Sequence, residues 1–464
     1  MSISNRIPSH HPVNAERSLP FLSCAGFVVV WVVFGGNMPT NSLLFGLLAV
    51  SGTALLVVAV LYGAESSWAL LARPARLTLL FFCGLPLLQL VPLPPGLWHS
   101  LPGRTLSVEI LAEVGMAQAW RPLTLSVAPT LRSALIILWL AAFLLLLLRL
   151  SSDQLRRIFT VLLWLGFLNV AVGIVQVVSG NTALKLYDGL NSPFLNGLFA
   201  NKNHAGLFIA MTFLAGYASY AEKGWNRQRL IVVISVALLL FASLIATFSR
   251  AGVVFGVLVI GFLALLSVNQ QRDKGRLVWV GGIVLLAMAA LAIISSTALA
   301  AQAFARFGGV GGDLRWQIWQ WSWPLVGGYF PFGSGIGSFT AVFPPHEQLA
   351  WVKPTFVNHA HNDYLEQLIE VGVAAPIGWF LALAAVLRPI ALAWRARRTQ
   401  RGHLGLIGAA MLFLIAAHST VDYPLRRPAI AVTCVVALAA VLRVNGRKSR
   451  LRPTTGYARQ SCDD

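Results

Sequence analysis

Charge is what this chain has least of. Charged residues make up 11% of its 464 positions, where soluble domains carry about 25%. Acid is scarcer still, with 16 Asp and Glu against 35 Lys and Arg. Cysteine is rare too: Cys24, Cys83 and Cys434 fall inside apolar runs and Cys462 in a polar tail. No CxxC is present for zinc, and no pair flanks an exposed loop, which excludes a disulfide framework. What remains is apolar, at 57% of the chain with a mean hydropathy of +0.72. A single soluble core stops growing near ~250–300 residues, so this much apolar surface requires lipid as its solvent. The net charge of +19 would suit nucleic acid. Its carriers, however, sit in short loops between apolar runs, which is a topology signal and not a nucleic-acid footprint.

Runs of membrane-spanning length read as 20–36, 41–62, 75–92, 130–149, 158–178, 204–221, 230–248, 252–268, 277–298, 372–390, 404–420 and 428–445. The expected fold class is therefore all-α, a polytopic membrane protein of about 12 transmembrane helices. Met1 to Leu19 is polar, and no small-x-small cleavage site follows the run from Pro20 to Gly35. The first run is read as a retained span. Pro86 lies inside the third span and is expected to kink it.

Basic residues mark alternate loops: Arg73 and Arg76; Arg149, Arg156 and Arg157; Lys223, Arg227 and Arg229; Arg272, Lys274 and Arg276; Arg388 to Arg401; and the tail from Arg447 to Arg452. Roughly two thirds of all Lys and Arg fall on this one side. The positive-inside rule then puts both termini in the cytoplasm, with an even number of spans. The opposite side carries the longer loops 93–129, 179–203 and, between spans 9 and 10, 299–371. The expected organisation is N-terminal spans over 1–160, a core over 161–445 and a basic tail over 446–464. Any chemistry is expected at the outer face, where long polar and aromatic loops collect.

Four segments there could carry it. The first runs from Asn358 through His359, His361, Asn362 and Asp363 to Glu370 and Gly372. The apolar spacing Leu365, Leu368, Ile369 predicts a helix beginning near Asn362. If the turn is helical from His359, that imidazole shares a face with Asp363, and a carboxylate beside it would strengthen it as a base. The plainer reading makes Asn362 a helix cap. A metal pair is disfavoured, since His-x-His lacks the i,i+4 spacing of helical ligands. The second segment holds Arg315 among Trp316, Trp319, Trp321 and Trp323. The tryptophans read as an interfacial belt, while the guanidinium could clamp a phosphate bidentately. The third is Ser249-Arg250-Ala251-Gly252, where a short connection sets Arg250 at the membrane boundary. That depth makes it a functional candidate, with snorkelling to lipid phosphate as the alternative. The fourth is Asn201-Lys202-Asn203-His204 at the start of a span, a donor cluster suited to an anion or to sugar hydroxyls. Gly333-Ser334-Gly335-Ile336-Gly337 has no strand before it and reads as a flexible turn, not a phosphate loop. The short loop from His418 to Pro428 adds a pair of outer cations, Arg426 and Arg427.

In order and spacing these segments resemble the O-antigen ligase/polymerase family of bacterial envelope glycosyltransferases. The resemblance rests on Phe199–Gly206, Ser249–Gly252, Arg315 with Ile318 and Trp319, Gly333–Phe339, His359–Glu370 with Gly372, and Asp422-Tyr423-Pro424. It covers roughly residues 160–445; the earlier part matches only as generic spans. It implies a GT-C-like helical fold in the bacterial inner membrane. It also implies a glycan donor carried on undecaprenyl diphosphate, and a lipid A–core or carrier-linked glycan acceptor at the periplasmic face. Neither cofactor nor metal is implied. By the same resemblance, Arg250 and Arg315 look like the diphosphate-binding arginines and His361 like the loop histidine that activates the acceptor, with His359 the less certain partner. Lys202, Asn203 and His204 would assist binding, and Asn362 and Asp363 would support the histidines. A lipid-linked oligosaccharide flippase or other transporter, or a protein-glycosylating ligase of the same family, are the alternatives. Transport is disfavoured because the spans are largely uncharged and their halves dissimilar.

Overall fold

A computed structural model describes residues 13–37, 42–62, 64–180, 194–220, 227–268, 314–348 and 356–445, with a few positions between them. The expected span 277–298 and the tail 446–464 lie outside the described residues. In chain order the helices are α1 (Val13–Phe34), α2 (Ser42–Leu61), α3 (Ala64–Leu70), α4 (Arg73–Gln89), α5 (Pro95–His99) and α6 (Thr105–Glu113). There follow α7 (Val127–Arg149), α8 (Ser152–Val178), α9 (Lys202–Tyr220), α10 (Arg227–Ala246) and α11 (Arg250–Val268). The last six are α12 (Leu314–Tyr329), α13 (Phe339–Val342), α14 (Asp363–Val371), α15 (Ala374–Arg395), α16 (Gln400–His418) and α17 (Pro428–Leu442). Among the described residues, a two-residue antiparallel ladder, β1 (Pro92–Leu93) with β2 (Arg121–Pro122), closes the segment between α4 and α7.

Among the described residues, six helices are long and apolar enough to cross a membrane: α2, α7, α8, α15, α16 and α17. Shorter apolar stretches lie in α1, α10 and α11. The chain is an all-helical, multi-pass membrane protein. Helix α9 stands apart for a physical reason. Lys202, Asn203 and His204 lower the hydropathy of its first turn, yet His204 to Ala215 is buried without a break. It packs between α8 and α11 and against α16, so protein and not lipid is its solvent. Its approach to α11 is close because both contribute glycine: a Cβ on Gly206 would lie 3.2 Å from the Gly252 Cα. Small residues at such crossings replace the hydrophobic driving force that lipid removes.

Among the described residues, the basic α7–α8 and α15–α16 connections meet at one end of the bundle. Gln400 donates to Asp153 (3.2 Å), which joins the α7–α8 and α15–α16 connections. Arg443 donates to Leu147 O and Leu148 O at the end of α7 (3.0 and 3.1 Å), and Arg149 to Tyr62 O at the end of α2. These arginines satisfy carbonyls that a helix C-terminus leaves unpaired. Helix α8 starts beside them with a full capping box, Ser151 with Gln154.

At the opposite end a second, smaller core forms from Ile318, Leu325, Phe339, Phe343, Ala360, Leu365 and Ile369. The turn Gly333–Gly337 is pinned into it. Ser334 N–H and Gly335 N–H donate to Ile369 O (3.0 Å) and Glu370 O (2.8 Å), and Ile336 N–H donates to Gln89 Oε1 (2.9 Å). Gly333 and Gly335 have φ of +78° and +110°, which glycine adopts without a Cβ clash. These amides are committed to the protein, so the turn is neither free nor a phosphate cradle.

Candidate functional site

The polar site lies at this second end, and its centre is Asp422, in the connection between α16 and α17. The carboxylate is fully buried and gathers donors from four segments. Arg315, in the first turn of α12, donates from Nη2 to Oδ2 (3.1 Å). Asn203 and Asn201, at the start of α9, donate to the same oxygen (2.9 and 3.4 Å). His361 sets Nδ1 3.3 Å from Oδ1, and the Tyr423 N–H donates to Oδ1 (3.1 Å). His204 Nε2 stands 3.6 Å from Oδ1 and His418 Nε2 4.0 Å from Oδ2. Burial alone would raise this carboxyl. The cationic and hydrogen-bonding groups around it, His204, His361 and Arg315, outweigh that and hold it well below the usual carboxylate range. A buried acid among donors is thus kept ionised. Arg315 and His361, by contrast, remain 26% and 24% exposed, so the groups able to meet a substrate form the rim.

Helix α14 begins where its spacing predicted, and Asn362 is its cap: the side chain accepts from Tyr364 N–H and Leu365 N–H (3.0 and 3.1 Å). Because the helix starts at Asp363, the expected His359–Asp363 pair does not form. His359 Nδ1 lies 2.8 Å from Glu366 Oε1 instead, one turn further along. Asp363 turns away to Ser419, whose hydroxyl donates to it (2.9 Å), and its own N–H donates to Ser419 O (2.9 Å). The two histidines therefore serve different acids. Burial lowers the His359 imidazole despite Glu366. A neutral ring donating from Nδ1 to Glu366 leaves Nε2 as an acceptor. His361 has φ +51°, a left-handed backbone that costs a side-chain-bearing residue about 1–2 kcal/mol. Both rings pack on Tyr423, with centroids 4.1 and 4.8 Å away.

Arg426 is not an available outer cation. It is ringed by three carboxylates: Glu370 Oε2 at 2.6 Å, Glu366 Oε1 at 3.3 Å and Asp363 Oδ1 at 3.8 Å. One guanidinium cannot neutralise three buried acids. Burial pushes Asp363 and Glu370 up to about 7, with Glu366 adding repulsion to each. Glu366 is raised by burial too, but Arg426 and His359 bring it down to about 2. Arg427 is likewise engaged, donating to Asn37 and lying 4.6 Å from the Tyr423 ring centroid.

The other expected residues are placed as follows. Arg250 heads α11, next to Ser249, whose Cβ is 3.1 Å from the position of a Cβ on Gly206, two residues from His204. Lys202 lies 3.7 Å from the Phe194 ring centroid. The belt of tryptophans divides: Trp316 and Trp323 are exposed, whereas Trp319 and Trp321 pack against the second core.

His204, His418 and Asp422 have ligand-type atoms within 4.8 Å of one another, a donor set that suits a transition metal. A carboxylate offers about four acceptor positions. Five N–H groups, of Arg315, Asn203, Asn201, Tyr423 and His361, already address Asp422. The ring nitrogens of His204 and His418 are buried without a hydrogen-bond partner among the described residues, while the carboxylate between them is already engaged by Arg315 and His361.

Asp422, on which these polar groups converge, is not singled out by sequence reasoning, which marks only its segment. The signal is a rare acid in a loop otherwise carrying cations, four residues after His418.

Fold and site together define a multi-pass membrane protein with a cationic, histidine-bearing site at one end of its bundle. Residues 234–380 of this membrane protein match the family model for O-antigen ligase, so that stretch resembles an O-antigen ligase domain. The matched stretch contains Arg250, Arg315, His359, His361 and the acids of α14, and ends before Asp422. No curated protein matches the chain. The family implies glycan ligase or polymerase activity on lipid-linked glycans.

Proposed function

We propose that the protein is an inverting, metal-independent glycosyltransferase of the bacterial inner membrane. It would take a glycan from undecaprenyl diphosphate at the periplasmic face and pass it to a sugar acceptor, in O-antigen or exopolysaccharide assembly. The observation that carries this reading is the His361–Asp422–Arg315 line, in which one buried carboxylate (3.3 and 3.1 Å to its partners) orients an imidazole and a guanidinium side by side. Nδ1 of His361 donates to Asp422, so Nε2 is the nitrogen that meets the acceptor.

In the reaction, the acceptor hydroxyl oxygen bonds to the anomeric carbon and the bond from that carbon to the diphosphate oxygen breaks. The hydroxyl proton passes to His361 Nε2, and undecaprenyl diphosphate leaves with the bonding pair. Arg315 and Arg250 would stabilise the charge growing on it, the kind of preorganised term that often dominates catalysis. Lys202, Asn203 and His204 would line the donor side. His359, held by Glu366, would support loop order and not take the proton itself. Charge from arginine would replace charge from a metal, and chelator should leave turnover unchanged.

The test is the glycan profile of a deletion strain complemented with wild type or His361→Ala. Full-length polymer stranded on the carrier lipid identifies a ligase; single repeats identify a polymerase. In either case His361→Ala should fail to restore the mature glycan while still binding the carrier-linked donor. Normal glycans in the deletion strain, or restoration by His361→Ala, would remove this reading.

A further inference from the structure

Arg315 and Trp319 are four residues apart on α12 and so share a helix face. Arg315 reaches the Asp422 carboxylate (3.1 Å). Trp319 does something that an interfacial tryptophan has no need to do: its indole N–H donates to the carbonyl of Ala360 (2.9 Å). The residue so held is itself unusual. Ala360 is fully buried, and its N–H donates to Glu366 Oε2 (2.9 Å). Both backbone polar groups of one alanine are thus satisfied by side chains from two different helices, α12 and α14. Its methyl group is fixed in the second core.

The two histidines hang from this alanine on either side. Glu366 is shared between Ala360 and His359, one oxygen taking the Ala360 N–H and the other facing His359 Nδ1 (2.8 Å). His361 follows at once, with φ +51°. A non-glycine residue does not hold a left-handed backbone by preference, so the surrounding structure must impose it. Two constraints flank it: the grip on Ala360 before it and the Asn362 cap after it. Released from the grip on Ala360, the chain is expected to relax toward the right-handed or extended region, which rotates the His361 side chain away from Asp422.

We propose that Trp319 and Glu366 are positioning residues that clamp the Ala360 peptide from both sides, and thereby hold His361 against Asp422 in register with Arg315. The proposal rests on the transferase reading for its catalytic consequence, but its structural claim can be measured without turnover. One helix face then carries the donor-side arginine and the fastening of the acceptor-side base, so the two halves of the site keep a fixed separation.

The experiment uses the full-length protein in detergent or nanodiscs with Trp319→Phe, which keeps a ring and removes the N–H donor. Two quantities are read: the rate of His361 modification by diethyl pyrocarbonate, resolved by peptide mass spectrometry, and kcat and KM for glycan transfer. The expected result is faster labelling of His361 by severalfold, kcat lower by roughly 10–100-fold, and a donor KM within about twofold of wild type. Glu366→Ala should show the same pattern, since Arg426 keeps Asp363 and Glu370 as partners. The double variant should lose less than the product of the two single effects. If Trp319→Phe does not accumulate, benzothienylalanine at position 319 replaces the N–H by sulfur at nearly constant volume and tests the same bond. Unchanged labelling overturns the clamp. Faster labelling with unchanged kcat overturns it also, because the base would then not depend on the grip. Faster labelling in the variant of a protein whose wild type transfers no glycan supports the clamp and removes the transferase reading.

Discussion

His361 Nδ1 and Asp422 Oδ1 lie 3.3 Å apart although 61 residues separate them in the chain, and the acid has no exposed surface while the imidazole keeps some. A buried carboxylate behind a partly exposed ring is the arrangement that fixes a tautomer and stabilises the imidazolium formed when the ring takes a proton. Asp422→Asn should therefore lower transfer by about 10²–10⁴-fold, since an amide can present the wrong hydrogen-bonding group to Nδ1. Asp422→Ala should also destabilise the protein, because breaking a buried ion pair costs about 3–5 kcal/mol. Thermal unfolding in detergent separates the two effects. An Asn variant with full turnover would show that Asp422 only holds the fold.

The arginines provide a sharper discrimination. If Arg250 and Arg315 hold a diphosphate, replacing either by Lys should impair transfer nearly as much as Ala, because a point charge does not reproduce a planar fork. For Arg315 the Lys variant would also leave Asp422 without its hydrogen bond at 3.1 Å. Carrier-lipid binding and kcat measured in parallel test this. Full activity in both Lys variants would mean that surface charge alone suffices.

The acids around Arg426 predict a pH dependence of stability. Asp363 and Glu370 are pushed up to about 7 in the fold, whereas unfolded carboxyls titrate near ~4. A raised folded value means that the native state binds more protons than the unfolded chain between those limits. That contribution is full below ~4 and is lost as pH rises through about 7. Thermal stability in detergent should therefore fall between roughly pH 5 and 8. Asp363→Asn, which mimics the protonated acid, should flatten part of that slope. A slope identical to wild type would mean that Asp363 is ionised throughout.

Sidedness can be tested independently of chemistry. Reporter fusions at residue 225 and after Asn445 should report cytoplasmic, and fusions at residues 110 and 345 periplasmic. The hydrogen bond from Gln400 to Asp153 already requires the α7–α8 and α15–α16 connections to share a side. A fusion pattern that splits those two connections would contradict it.

The helical, lipid-embedded class of this protein follows from its apolar runs of spanning length, which have few other ways to satisfy their backbone. The sequence also located the start of α14, since Asn362 followed by Leu365, Leu368 and Ile369 is a local signal read from neighbouring residues. Arg250, Arg315 and the two histidines were legible as candidates from their depth and company. Their partners were not. A His359–Asp363 pair required the helix to begin at His359, four residues before its start at Asp363. That start was settled when the Asp363 N–H found Ser419 O across the fold (2.9 Å). Asp422 stood in plain view but gained meaning only from distance, as residues at 201, 203, 315 and 361 converged on it. Arg426 looked like a free outer cation until three carboxylates of α14 closed around it. Helix periodicity and span length are local properties that a linear reading recovers. Pairing of buried charges is decided by which segments the packed bundle brings within a few ångströms, and only the tertiary structure contains that.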